Sequence, residues 1–110
     1  MMNKRQLLGY DEPCFVISVA AKILGLRTQT LRHYESVGLI EPFRSQGNQR
    51  VFSRRDIDRV KKLRTLVGDI GVNLAGAEVI MGLLDRLQQL EDENEFLKNQ
   101  IKKLGELYVK

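Results

Sequence analysis

Apolar residues fall into four periodic blocks separated by glycine-centred breaks, and each block predicts an element. Val19, Ala20, Ile23 and Leu24 recur at helical spacing, with Ser18 placed as N-cap and Gly25 as the stop. A second short helix is expected from Thr28 or just before it, burying Leu31 and Val37 and ending at Gly38. Ala21, Gly25 and Leu31 supply what two touching helices need: a small residue at the contact, a flexible one in the turn and an apolar one beyond it. The second helix turns Arg27, Gln29, Thr30, Arg32 and His33 outward, side chains that suit base edges and phosphates. The pattern is that of a helix-turn-helix, although a plain helical hairpin with a solvated polar face has the same periodicity.

After Leu39, Ile40 and Pro42 the pattern shortens. Glu41–Phe52 reads as a hairpin wing, with one strand around Phe43 and Arg44, a Gly47-Asn48 turn of type I′ or II′, and a return strand through Arg50, Val51 and Phe52. Arg44 and Arg50 flank the turn, where they can straddle a phosphate backbone or merely keep an exposed hairpin soluble, and Val51 is placed inward. Ser53 and Asp56 form a capping pair ahead of a third helix, whose apolar positions are Ile57, Val60, Leu63 and Val67. Its Arg54, Arg55, Arg59, Lys61, Lys62 and Arg64 are assigned mostly to a solvated face, with some of them placed to approach the flank of a bound duplex. The stretch GDIGVN, Gly68–Asn73, breaks that helix, and Leu74, Ala77, Ile80, Met81 and Leu84 resume helical spacing.

From Leu83 the spacing becomes alternating steps of four and three through Leu87, Leu90, Asn94, Leu97, Ile101, Leu104 and Tyr108. This is a coiled-coil seam with Leu87, Asn94, Ile101 and Tyr108 at a and Leu83, Leu90, Leu97 and Leu104 at d. One helix cannot bury such a stripe, so another copy or a different partner must cover it; a homodimer is expected, with Asn94 selecting register. A helix folded back on its own domain is the competing arrangement. Residues 83–108 span roughly 39 Å at about 1.5 Å per residue. That matches the roughly 34–36 Å between successive major grooves read by a two-fold dimer, so an inverted-repeat site in double-stranded DNA is expected. The resulting divisions are an N-terminal arm (1–12), a winged helix-turn-helix domain (13–82) and a dimerising coiled-coil helix with its tail (83–110), a mainly α fold with one small β-hairpin.

Charge sharpens the picture. The net charge of +4 conceals 13 Lys/Arg against 7 Asp/Glu over residues 1–72, or +6, and 5 against 7 over 73–110, or −2. The positive half is the one with the helix-turn-helix, as polyanion binding requires. Composition, 43% hydrophobic and 29% charged, is that of a soluble globular chain, and 110 residues leave little room for a catalytic core. No apolar run suits a membrane span or a signal peptide, so a cytoplasmic protein without membrane contact is expected. The lone Cys14 is expected to be a small buried apolar residue, and neither a metal site nor a cofactor is predicted. His33 is the single histidine, no nucleophile constellation accompanies it, and no enzymatic activity is expected. A protein-interaction adaptor built on the same core and coil, without DNA binding, is the alternative function.

TLRHYESVGLI (Thr30–Ile40), RVFS (Arg50–Ser53) and DIDRVKKLR (Asp56–Arg64) resemble the MerR family of transcriptional regulators over roughly residues 13–84. The resemblance implies DNA-binding dimers joined by an antiparallel coiled coil. By position it implies contacts from Arg32, His33 and Tyr34 and from Arg44, Arg50 and Phe52 of the wing, although tyrosine is more usual at Phe52. Tyr34 is equally placed as a core residue whose hydroxyl meets a phosphate. With the outward positions, the candidate DNA-contact set is Arg27, Thr28, Gln29, Arg32, His33, Tyr34, Arg44, Asn48, Arg50 and Phe52. DEPCFVISVAAKILGLRTQTLRHYE and GVNLAGAEVIM are most similar to the heat-shock repressor (HspR) branch. That likeness implies a repressor of chaperone genes with the chaperone DnaK as co-repressor. The family's sensor cysteines and C-terminal drug-binding domain have no counterpart in these residues. The end of the chain, Leu104–Lys110, offers Leu107, Tyr108 and Val109 as a chaperone-docking tail.

Overall fold

The computed structural model describes residues 9–108, and the arm residues 1–8 and tail residues Val109 and Lys110 lie outside them. The order is β1 (Phe15–Val16), α1 (Ile17–Leu24), α2 (Thr28–Ser36), β2 (Phe43–Arg44), β3 (Arg50–Phe52), α3 (Arg54–Arg64), a π-helical turn (Thr65–Asp69) and α4 (Leu74–Tyr108). The chain divides into two compact units, one ending at Leu74 and the other beginning at Ala75. The division at 82/83 marks the start of the heptad seam, whereas the helix carrying that seam starts at Leu74. No described helix is long and apolar enough to cross a membrane.

In the first unit, a three-stranded antiparallel sheet in the order β1-β3-β2 joins the segment before α1 to the wing. Phe15 pairs with Phe52 and Val16 with Val51, while Phe43 pairs with Val51 and Arg44 with Arg50. The run Phe15–Ile17 is therefore a strand feeding a helix. That pairing holds Val16 extended, so α1 starts at Ile17 with Val16 as its N-cap and no side-chain cap, and Ser18 lies inside the first turn. Cys14 is exposed, because its backbone N–H, donated to the Phe52 carbonyl at 3.0 Å, fixes the edge while its side chain points away from the core.

Both short helices end in the same way. Gly25 (φ 67°) and Gly38 (φ 82°) adopt the left-handed conformation, and the following residues donate back across the last turn, Leu26 to Ala21 and Leu39 to Tyr34. These are glycine-dependent Schellman closures. The second one turns Leu39 and Ile40 into the core beside Ala20, Ala21, Leu24, Leu31, Tyr34, Phe52, Ile57, Val60 and Leu63. On α1 the stripe Ala20, Ala21 and Leu24 is buried, while Val19 and Ile23, one position back, are 42% and 48% exposed; Val37, past the end of α2, is 41% exposed. The helical periods were right, but two apolar stripes compete on so short a helix and only one faces inward.

Ser53 and Asp56 form the expected reciprocal capping box at the start of α3. The break after it is a π-helical turn followed by Gly71 at φ 84°, so Gly68 lies within helical structure and the non-helical residues are 70–73. Several cations assigned to the solvated face of α3 have structural partners. Arg64 donates to the Leu24 carbonyl at the end of α1, Arg59 to the Leu39 carbonyl at 3.0 Å, and Arg55 pairs with Asp11 at 3.4 Å.

Residues 9–12 are not a loose arm. The Tyr10 carbonyl accepts from the Arg55 N–H at 3.1 Å, and the Tyr10 hydroxyl donates to Asp58 at 3.0 Å. Burial and then the Asp58 hydrogen bond push the phenol from 10.0 up to about 12. Because the folded value exceeds the unfolded one, the contribution is complete below pH 10 and is lost as pH rises toward 12. Tyr10→Phe should therefore cost about 0.5–1.5 kcal/mol at neutral pH. In parallel denaturant titrations at pH 7 and pH 11 the gap between wild type and variant should narrow at the higher pH; a gap that is the same at both would contradict a raised phenol pKa in the folded state.

The second unit is the single helix α4, with Ala77 and Met81 buried. Among the seam residues, Leu83, Leu87, Leu90, Leu97, Ile101, Leu104 and Tyr108 are all at least 45% exposed, and Asn94 is exposed as well. The leucine stripe is thus an exposed feature of α4.

Candidate nucleic-acid interface

The two faces of α2 differ sharply. Leu31 and Tyr34 are buried at 0% and 7% exposure, anchoring the helix against the core, while Arg27, Gln29, Arg32 and His33 are exposed and Thr28 and Thr30 partly so. A helix held by its apolar side offers the other side as a rigid row of donors, acceptors and positive charge, the form in which side chains reach base edges. Arg32 Nη1 donates to Thr28 Oγ1 at 3.3 Å, one turn earlier, which lays the guanidinium along the exposed face. Tyr34 belongs to the core, as its alternative placement had it.

The wing turns more gradually than the two-residue connection expected at Gly47-Asn48. The Ser45 N–H donates to the Gln49 carbonyl at 2.9 Å, the Asn48 N–H to the Ser45 carbonyl at 2.8 Å, and the left-handed residue is Asn48 at φ 60°. This is a three-residue loop closed by a left-handed asparagine, with the Ser45 hydroxyl accepting from the Gln49 N–H at 3.1 Å. Asn48 is exposed at the tip. Phe52, proposed as a contact, is completely buried as the central strand's anchor and cannot reach DNA through its side chain; Val51, placed inward, is only partly buried. The exposed wing aromatic is Phe43, at 56%. Strand alternation over three residues is too short to have decided between Val51 and Phe52.

Arg44 and Arg50 stand opposite each other across the β2–β3 ladder, as their flanking positions suggested, but neither is free. Glu35 near the end of α2 accepts from Arg44 Nη2 on both carboxylate oxygens at 3.0 Å and from Arg50 Nε at 2.5 Å. Arg44 also donates to the Asn48 carbonyl at 3.1 Å. The wing is thus tied to α2 through one carboxylate, a link between residues far apart in sequence that no local pattern displays.

A basic, outward helix held by a small hydrophobic core, with an arginine-bearing β wing tied to its end, defines a winged helix-turn-helix module. The model of the MerR HTH family regulatory proteins matches residues 15–84. The chain belongs to the MerR family, whose members are DNA-binding transcription regulators. It is 43% identical over 84 residues to a putative heat shock protein HspR of Streptomyces coelicolor, which covers 76% of this chain and 56% of that protein. The chain thus spans just over half the length of that relative. It is also 28% identical over 96 residues, 84% of this chain and 74% of the other, to the HTH-type transcriptional regulator GlnR of Bacillus anthracis. In fold it matches HiNmlR, a MerR family regulator lacking the sensor domain and crystallised bound to promoter DNA, with a TM-score of 0.58 and 22% identity over 84% of this chain and 76% of that one.

Proposed function

We propose that the protein is a sequence-specific repressor of heat-shock and chaperone genes that binds inverted-repeat operators as a homodimer in the cytoplasm. The observation carrying this reading is the exposed α2 row of Arg27, Gln29, Arg32 and His33, in a unit whose charge is strongly positive. Thr28, Arg44, Asn48 and Arg50 complete the contact set, with Arg44 and Arg50 acting from the wing. The exposed leucine seam of α4 supports pairing with a second copy, and a DNA-spanning dimer blocks promoter access by occupancy. The heat-shock assignment rests on the likeness to HspR, as does a chaperone of the DnaK type as co-repressor. A docking role for the tail rests on Leu107 and Tyr108, which are 70% and 85% exposed.

Fluorescence-anisotropy titration against an inverted-repeat duplex tests the DNA reading. Each neutralised phosphate releases counterion, with a slope of about −0.9 in log affinity against log salt. Affinity should therefore fall roughly tenfold or more between about 50 and 200 mM salt if several phosphates are engaged. Affinity independent of salt would contradict the proposal.

A further inference from the structure

Glu35 stands where a carboxylate is locally disfavoured. It lies in the last turn of α2, where the helix dipole disfavours negative charge, and in the net-positive part of the chain, residues 1–72. The wing has a matching anomaly: Arg44 and Arg50 are directly opposed like charges on adjacent strands, an arrangement that destabilises a ladder. Each anomaly answers the other. The single carboxylate, 19% exposed, takes both guanidiniums, which are 38% and 25% exposed. Local rules broken together in this way and repaired by one long-range contact mark a site shaped by function as well as by folding.

We propose, on the basis of the DNA-binding reading above, that Glu35 is a specificity-determining residue: an internal stand-in for the DNA phosphate that keeps Arg44 and Arg50 oriented and withholds them from arbitrary duplex. Phosphate contacts are blind to sequence, so two unpaired arginines beside α2 would raise affinity for every duplex alike. Paired to Glu35, they engage a phosphate only where the duplex is close enough to compete with the carboxylate, which requires α2 to be seated in its groove. The same pairing fixes the wing relative to α2, so backbone contact and base readout share one register.

The test compares wild type, Glu35→Gln and the triple variant Glu35→Gln/Arg44→Gln/Arg50→Gln on two duplexes of equal length, one selected by the wild type from a random pool and one shuffled. Circular dichroism melting monitors folding. Glu35→Gln should bind the shuffled duplex more tightly, with a salt slope steeper by about 0.9–1.8 per protomer, one to two additional phosphates. Its preference for the selected duplex should fall about tenfold, and the triple variant should return the slope to the wild-type value or below. If Glu35→Gln melts below the assay temperature, Glu35→Asp, whose carboxylate is drawn back by one methylene, is scored by the same slope and preference. An unchanged slope and preference in a folded Glu35 variant, with wild type binding normally, overturns the role of Glu35 alone. Wild type that binds neither duplex in a salt-dependent way overturns the DNA-binding reading itself.

Discussion

Replacing Leu90 and Leu97 together with lysine will give a monomer whose affinity for an inverted-repeat duplex is about a hundredfold or more below that of the wild type. Both leucines are d positions of the seam and are 45% and 57% exposed in one copy, so neither contributes to the core of its own chain. In a dimer each would be buried, contributing about 1.5–3 kcal/mol, and lysine would place four charges in the shared apolar core. The DNA loss follows from coupling: once one α2 is seated, the second half-site is met at high effective concentration, and a monomer forfeits that gain. Sedimentation velocity reads the oligomeric state and anisotropy the affinity. A variant that remains dimeric would place the interface elsewhere on the chain.

The seam behind that expectation is open to sequence reading because a heptad pattern repeats over many residues, and the single long helix α4 carries it. The same held for α2, where alternating buried and exposed positions show directly in Leu31 and Arg32, and for the Ser53–Asp56 capping box, which needs only a three-residue spacing. Features that depend on distant partners were not legible. β1 is two residues long and carries no period; its identity as a strand comes from pairing with β3. Phe52 enters the contact set only through the family resemblance, and β1, paired with β3 on the side away from β2, makes it part of the core. Glu35 has no local partner to announce it, since Arg44 and Arg50 approach only when the wing folds back. Tyr10 and Asp58 meet across most of the first unit, so the segment before Pro13 reads as polar and unstructured until α3 is in place.

These long-range pairs have a common consequence for the site. The core positions α2, while Arg64 bonds the Leu24 carbonyl at the end of α1 and Arg59 the Leu39 carbonyl in the segment after α2. Carbonyls left without partners at helix ends are stabilised by nearby cations, so part of the positive charge in this unit is structural and part remains for a polyanion. Arg27 and Arg32 belong to the second group: both are exposed, and Arg32 donates locally to Thr28 one turn earlier.

The double substitution Arg27→Ala/Arg32→Ala therefore bears most directly on the central claim that the exposed face of α2 reads DNA. Neither side chain supports the core, so the melting temperature and the dimer should match the wild type. Loss of one good base contact costs about 1–3 kcal/mol, and loss of two per protomer should abolish measurable preference for a selected duplex. Anisotropy on that duplex, with melting and sedimentation run alongside, gives the answer. A folded, dimeric double variant that no longer distinguishes the selected duplex is the predicted result; one that binds it as tightly and selectively as the wild type would contradict the account and favour an adaptor that does not use this face for DNA.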